Sequence, residues 1–264
     1  MTPRVLILAG LGINADLELA EAFRRVGGRP ERIHCLDLFR DPSALERYHL
    51  LALPGGFSFG DHLGSGLVLA HMIRAKLRRN FDDFVARGKP VIGICNGFQV
   101  LVKSGIIPNV DGSWTPRVSL IHNTSGRFVD RWVHLAAHGE NTSPWLVGLG
   151  NFDVPIRHGE GRFVFGDAQA RAALAGQVAF LYEGVNPNGS EDGIAGMTDR
   201  TGRVLGMMPH PEAYLDGLSH PLRPPRGDRR GSKNGSEGAD AADTESPALA
   251  LLTNGINMAM EAAS

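Results

Sequence analysis

A chain of 264 residues suits one large α/β domain or two small ones, and it can bury a substantial core. Hydrophobic residues make up 42% and charged residues 21%, and the net charge is −1, so nothing in the balance favours nucleic acid or an anionic membrane as partner. Cys35 and Cys95 are the only cysteines; they form no disulfide framework and no C-x-x-C pair, which fits a reducing cytoplasm.

Val5–Ala9 is the first element. The run follows Arg4, ends in glycines and has no small-x-small cleavage site behind it, so it reads as a buried strand rather than a signal peptide. No stretch approaches the roughly 18 apolar residues that a spanning helix needs. The helical pattern "ADLELAEAFRRVGG" comes next, with Gly27-Gly28 at its C-cap. Arg32–Leu38 is a weaker strand candidate and Leu50–Leu53 a stronger one. Residues 64–88 carry one helical period closed by Gly88, and Val91–Ile94 is a further strand. The strong runs are continuous rather than alternating, as expected where both faces of a parallel sheet are covered. Strand and helix in alternation predict βαβ units.

Past the midpoint, residues 117–135 and 152–165 alternate in shorter β-like runs and predict an antiparallel or mixed extension of the sheet. Val204–Met208 is another buried strand. Residues 223–247 hold no apolar side chain larger than alanine, basic first and acidic after, and read as a disordered charged loop. From Pro247 a helical period returns and closes a single domain spanning 1–264.

In "GKPVIGICNGFQVL" a strand, Pro90–Ile94, gives way to Cys95, then Asn96-Gly97 and an amphipathic helix. This is the strand–turn–helix of a nucleophile elbow, G-x-C-x-G in place of G-x-S-x-G. Gly93 and Gly97 leave room for the sharp turn, and a helix N-terminus behind Cys95 favours its thiolate. Cys35 has no such setting and reads as core. A thiolate needs a base and an oxyanion site. "MMPHPEAY" offers the base: prolines on both sides hold His210 in extended backbone, where residues two apart share a side, so His210 and Glu212 can face one way as the second and third members of a triad. Gly55 and Gly56 of "LALPGGFSFGD" follow a buried strand and can turn N–H groups toward a developing negative charge.

One competing pattern stands near the start. Gly10, Gly12 and Ala15 match G-x-G-x-x-A after the first strand, and Asp37 falls at the end of the second at the spacing of a ribose-binding acid, which alone favours a nicotinamide-linked dehydrogenase. Nothing downstream supports it, whereas Cys95, His210 and Gly56 fit one hydrolytic scheme. A stand-alone cysteine hydrolase or peptidase and an interaction subunit with a dead site compete as well; the "PHPE" end speaks against the first and the intact Cys–His–Glu set against the second.

"PGGFSFGD", "GKPVIGICNGFQVL", "HGEGRFVF", "NPNGS" and "GMMPHPE", in that order, resemble the glutamine amidotransferase subunits of phosphoribosylformylglycinamidine synthase. "GINAD" and "HNTSGRF" are similar to segments of the single-chain form. The resemblance covers nearly the whole chain and implies a flavodoxin-like α/β sandwich of the class I, triad type, in which a mostly parallel sheet carries an antiparallel extension. It implies Cys95 as nucleophile, His210 as general base and acid, and Glu212 as its orienter. Backbone N–H groups of Gly56 and Asn96 would form the oxyanion hole, with Gly55, Phe57, Gln99, His158 and Glu160 about the glutamine pocket. Ammonia would pass to a synthetase subunit, with or without a small bridging subunit, that uses ATP to convert formylglycinamide ribonucleotide to its amidine in purine synthesis. No Walker-type phosphate loop occurs here, so the resemblance implies no cofactor or metal in this chain, with ATP and magnesium on the partner. The family continues "PHPE" with Arg where this chain has Ala213, a departure that leaves the triad untouched.

Overall fold

A computed structural model describes residues 1–221 and 246–263. The first part of the chain forms β1 (Arg4–Ala9), α1 (Asp16–Arg25), β2 (Arg29–His34), α2 (Cys35–Arg40), β3 (Leu50–Leu53), α3 (Leu67–Lys76), α4 (Arg78–Ala86), β4 (Val91–Ile94) and α5 (Asn96–Ser104). It continues through β5 (Val118–Ile121), β6 (Val129–Ala137), β7 (Phe152–His158), β8 (Arg162–Phe165), α6 (Ala168–Ala173), β9 (Val178–Glu183), β10 (Ile194–Thr198), β11 (Val204–Met207) and α7 (Pro247–Glu261). Nine strands join one sheet in the order β2-β1-β3-β4-β11-β10-β9-β6-β7. Pairing is parallel from β2 across to β11 and antiparallel from β11 out to β7.

The buried, continuous apolar strands β3, β4 and β11 are the middle of this sheet, with β1 beside them. Two glycines explain how closely α5 lies on it. Gly93 and Gly206 stand opposite each other in the β4–β11 register. A Cβ on Gly206 would come within 2.0 Å of the Phe98 ring, and one on Gly93 within 2.5 Å of Leu101 Cδ1. The helix that follows Cys95 is thus pressed onto the strands that flank it, with Phe98 and Leu101 filling the space the glycines leave. Gly27 and Gly88 both take left-handed backbone just past α1 and α4, and the N–H of Gly28 returns to Phe23 O at 2.8 Å, the helix-stop geometry their positions predict.

Three expectations change. Strand β2 begins at Arg29 and ends at His34, where the His34 ring accepts the Leu36 N–H (3.3 Å) and Cys35 opens a short helix. Residues 64–88 are two helices: Gly64 and Gly66 are left-handed and delay the start to Leu67, and buried Leu77, with its φ stretched to −117° (ψ −7°), parts α3 from α4. That bend lets Phe81 of α4 meet Trp114 edge-on at 5.4 Å, a tertiary contact that helical period does not register. Of the alternating runs, only β6 and β7 extend the main sheet; β5 and β8 pair with each other, and the extension is completed by β9 and β10. The charged tract read at 223–247 lies outside the described residues up to 245. Pro247 opens α7, as expected, and Ser246 is its N-cap, the hydroxyl accepting the Ala248 N–H at 3.1 Å.

Candidate active site

Cys95 joins β4 to α5 with φ 52° and ψ −106°, a backbone shape that side-chain-bearing residues rarely adopt. Bonds on both sides hold it there. Its N–H donates to Met207 O on the neighbouring strand (2.8 Å), and its carbonyl accepts the Gln99 N–H (3.0 Å). Strain of this kind costs about 1–3 kcal/mol and persists only where the surroundings over-determine it. Gly97 makes it possible, because a Cβ there would sit 2.0 Å from the carbonyl oxygen of Leu53. Backbone cannot yield as a flexible side chain does. Gly97→Ala is therefore expected to lower the unfolding free energy in urea by about 1–3 kcal/mol; an unchanged urea midpoint would show that the elbow is not the tight turn described.

Strand β11 runs parallel to β4 with Met207 opposite Ile94, so the segment that leaves it emerges beside the elbow. His210 follows with φ −108° and ψ 83°, and its N–H donates to the carbonyl of Pro155 on β7 (2.9 Å). The expected pairing with Glu212 is present but arises differently. Pro211–Ala213 is a 3-10 turn, and it is the turn, not alternation along an extended segment, that brings Glu212 back under His210. Nδ1–H of His210 donates to Glu212 Oε1 at 2.6 Å, with both side chains buried. Nε2 has no hydrogen-bond partner among the described residues. A Cβ on Gly55 would meet His210 Cε1 at 2.9 Å and Cys95 Cβ at 3.5 Å, so imidazole and thiol converge on this one glycine. Burial by itself would lower the His210 pKa; the charges of Glu212 and Cys95 outweigh it and raise it to about 10. The imidazole is thereby held as an acid beside the sulfur.

Gly56 pairs with Ile13 in an isolated antiparallel bridge, whose bonds use the N–H groups of Asn14 and Phe57. The Gly56 N–H donates to no group among the described residues. Asn96 is the first residue of α5, so its N–H has no intrahelical acceptor. Its side chain is fully engaged instead. Oδ1 accepts the Ser58 N–H (3.2 Å), Nδ2 donates to Gln99 Oε1 (2.9 Å), and Gln99 Nε2 donates to Glu160 O (2.6 Å). These bonds tie the loop after β3, the elbow helix and the "HGEG" segment into one frame around the sulfur.

A cavity of about 330 Å³ opens at this point, within the range of small-molecule sites. Gly56, Phe57, Cys95, Gln99, His158, Glu160 and His210 line it, whereas Gly55, Asn96 and Glu212 stand behind the wall. Sequence reasoning missed Asp61, Ser65, Phe128 and Arg157, which also line it. Two of them fall inside recognisable motifs, Asp61 in "PGGFSFGD" and Phe128 in "HNTSGRF", and that was the available signal. Asp61 accepts from the Ser65 hydroxyl (2.8 Å) and burial pushes its carboxyl up. Glu160 lies 3.7 Å from Lys103 Nζ, and Arg157 pairs with Glu18 at 3.1 Å. Carboxylates and a guanidinium around one cavity are the charges an amino-acid zwitterion requires.

The dinucleotide pattern is accounted for otherwise. A Cβ on Gly12 would fall 2.0 Å from Phe57 O, and Gly12 O accepts the Phe57 N–H at 2.7 Å, so this turn abuts the loop after β3. Asp37 sits on α2 rather than at a strand end, exposed and paired with Arg40 (3.0 Å). Cys35 is buried core, as expected.

Residues 2–256 match the model of the CobB/CobQ-like glutamine amidotransferase domain. The chain is 38% identical over 234 residues to phosphoribosylformylglycinamidine synthase subunit PurQ of Dehalococcoides mccartyi, covering 85% of this chain and 90% of that protein. It is 36% identical to the PurQ subunit of Methanococcus maripaludis, covering 84% and 86%. Among solved structures, a chain in the structure of PurLQS from Thermotoga maritima superposes with a TM-score of 0.68 at 32% identity, covering 83% of this chain and 92% of that one. With its elbow cysteine, buried His–Glu pair and this degree of likeness, the chain belongs to the CobB/CobQ-like glutamine amidotransferases, in the branch of the PurQ subunits.

Proposed function

We propose that this chain is the glutaminase subunit of a phosphoribosylformylglycinamidine synthase. It hydrolyses glutamine and passes ammonia to a synthetase subunit that converts formylglycinamide ribonucleotide to formylglycinamidine ribonucleotide with ATP, in de novo purine synthesis. The observation that carries the reading is the convergence of Cys95 and His210 on Gly55, with Glu212 buried behind the imidazole. The Cys95 thiolate attacks the side-chain amide carbon, and the oxyanion is held by the N–H groups of Gly56 and Asn96, each worth about 3 kcal/mol by analogy with measured donors. The C–N bond then breaks as His210 gives its proton to the departing nitrogen, which leaves as ammonia. Cys95 is left as a γ-glutamyl thioester. Water, deprotonated by the now neutral His210, attacks the thioester and releases glutamate with the thiolate restored.

The relatives named above, one of them from the PurLQS assembly, support a synthetase and a small third subunit as partners of the whole 1–264 amidotransferase domain. ATP and magnesium are assigned to the synthetase, with no cofactor or metal in this chain. Two free, buried cysteines fit the cytoplasm as its location, and among the described residues no helix is long and apolar enough to cross a membrane. Glutamate release by the chain alone is expected to be slow and to rise at least about tenfold when the synthetase is added, since apo sites of this kind are often misaligned until a partner docks. A synthetase that neither binds the chain nor accelerates it would overturn the assignment.

A further inference from the structure

The segments "HNTSGRF", "HGEG" and "NPNGS" give no group to the thioester chemistry, yet their buried side chains meet around His158. Asn123 donates through Nδ2 to the carbonyls of Arg127 (3.0 Å) and His158 (2.9 Å). Its Oδ1 is therefore the acceptor, and it takes the Gly161 N–H (3.1 Å) and Nδ1 of His158 (3.2 Å). That sets the tautomer: Nδ1 carries the proton and Nε2 presents a lone pair. The ring lies on Gly161, where a Cβ would come within 2.3 Å of it, and the Gly161 carbonyl is held by Asn188 Nδ2 at 2.8 Å.

Nε2 itself has no partner among the described residues, although His158 is only 2% exposed. A buried polar atom left unpaired costs about 1–3 kcal/mol, so three segments cooperate to keep an unsatisfied acceptor on a residue that lines the cavity. The wall is next to the nucleophile: the carbonyl oxygen of Arg157, the preceding residue, lies 3.6 Å from Cys95 Sγ. Burial, reinforced by the charge of His210, pushes the His158 pKa down to about 4, and the ring stays neutral beside the acid.

We propose that Nε2 of His158 accepts a hydrogen bond from the nitrogen that glutamine gives up, first as the carboxamide and then as free ammonia, and so keeps it in the site for transfer. This rests on the glutaminase reading above. The nitrogen receives its third hydrogen from His210 as the C–N bond breaks, and His158 neither gives nor takes a proton. The choice of group is chemical. A free carboxylate would favour ammonium, which is no nucleophile, whereas a neutral imidazole of low basicity binds the N–H and leaves the ammonia lone pair unprotonated for the synthetase.

The test is the yield of amidine per glutamate in the complex with the synthetase. His158→Phe keeps a flat ring over Gly161 and removes the acceptor; the yield is expected to fall about five-fold, the worth of one neutral hydrogen bond. Glutamate release should persist at saturating glutamine with a raised KM for glutamine, since the carboxamide contact is lost too, and amidine formed from added ammonium salt should not change. His158→Gln, which restores an acceptor oxygen, should recover most of the loss. Wild-type yield in His158→Phe overturns the proposal, as does equal uncoupling in both variants or a folded His158→Phe that releases no glutamate. If His158→Phe does not fold, Asn123→Leu carries the test, since it frees the proton to move to Nε2; full coupling there overturns the proposal too. A wild-type complex that releases no glutamate at all would instead refute the glutaminase reading.

Discussion

Replacing Cys95 with alanine is expected to remove glutamate release by a factor on the order of 10⁴–10⁶, while the complex with its synthetase still makes amidine from added ammonia. The size follows from covalent catalysis: without the sulfur there is no thioester, and His210 and the oxyanion donors act on nothing. Cys35 cannot substitute, being 1% exposed and packed against Gly10. Retained ammonia use is the informative half, because it separates loss of the nucleophile from loss of the complex. Glutamate assay and amidine assay on the same preparation decide it; glutaminase activity surviving in Cys95→Ala would sink the assignment of the site.

Glu212→Gln carries the second large effect. Glu212 is 1% exposed and supplies the first of the charges that hold a proton on His210 against burial. Gln keeps the shape and removes the charge, leaving a buried imidazole that loses its proton readily. Proton transfer to the departing nitrogen then fails near neutral pH, and turnover is expected to fall about 10²–10⁴-fold, the usual worth of acid–base catalysis. Stability changes with a definite sign. His210 is raised from 6.5 to about 10, so its proton stabilises the wild type fully below pH 6.5, and that contribution fades as pH rises from there to about 10. The variant lacks the contribution and its slope. Urea unfolding of both proteins at pH 6 and pH 9 tests this: wild type and Glu212→Gln should differ by about 3 kcal/mol at the lower pH and much less at the higher. Equal differences at both would show that Glu212 does not act through the proton on His210.

Much of this site was legible in the sequence because its central parts are local. The strand, cysteine and glycine of the elbow are consecutive, and His210 and Glu212 are only two residues apart. Gly97 and Gly93 could be read as steric requirements without knowing that Leu53 and Leu101 would be the neighbours. What escaped depends on distant contacts. Leu77 breaks the run at 64–88 with no glycine or proline to announce it, because α4 turns to pack Phe81 on Trp114. The state of His158 is set by Asn123, 35 residues away, and by a glycine that admits its ring. The motif strings marked these residues as present together, but only the fold shows that one side chain's amide orientation decides where a lone pair points.

One hydrogen bond ties His210 to the limit of the sheet. Strand β7 is the last in the order, and its Pro155 has no N–H to offer a further strand, while the Pro155 carbonyl is occupied by the His210 N–H at 2.9 Å. Open sheet edges are templates for pairing between chains, and proline or a covering segment is the usual protection. Here the covering segment is the one that carries His210. If it lifts away, the His210–Glu212 pair leaves the cavity and an unpaired edge is uncovered in the same motion, so loss of the site's geometry and self-association begin as one event.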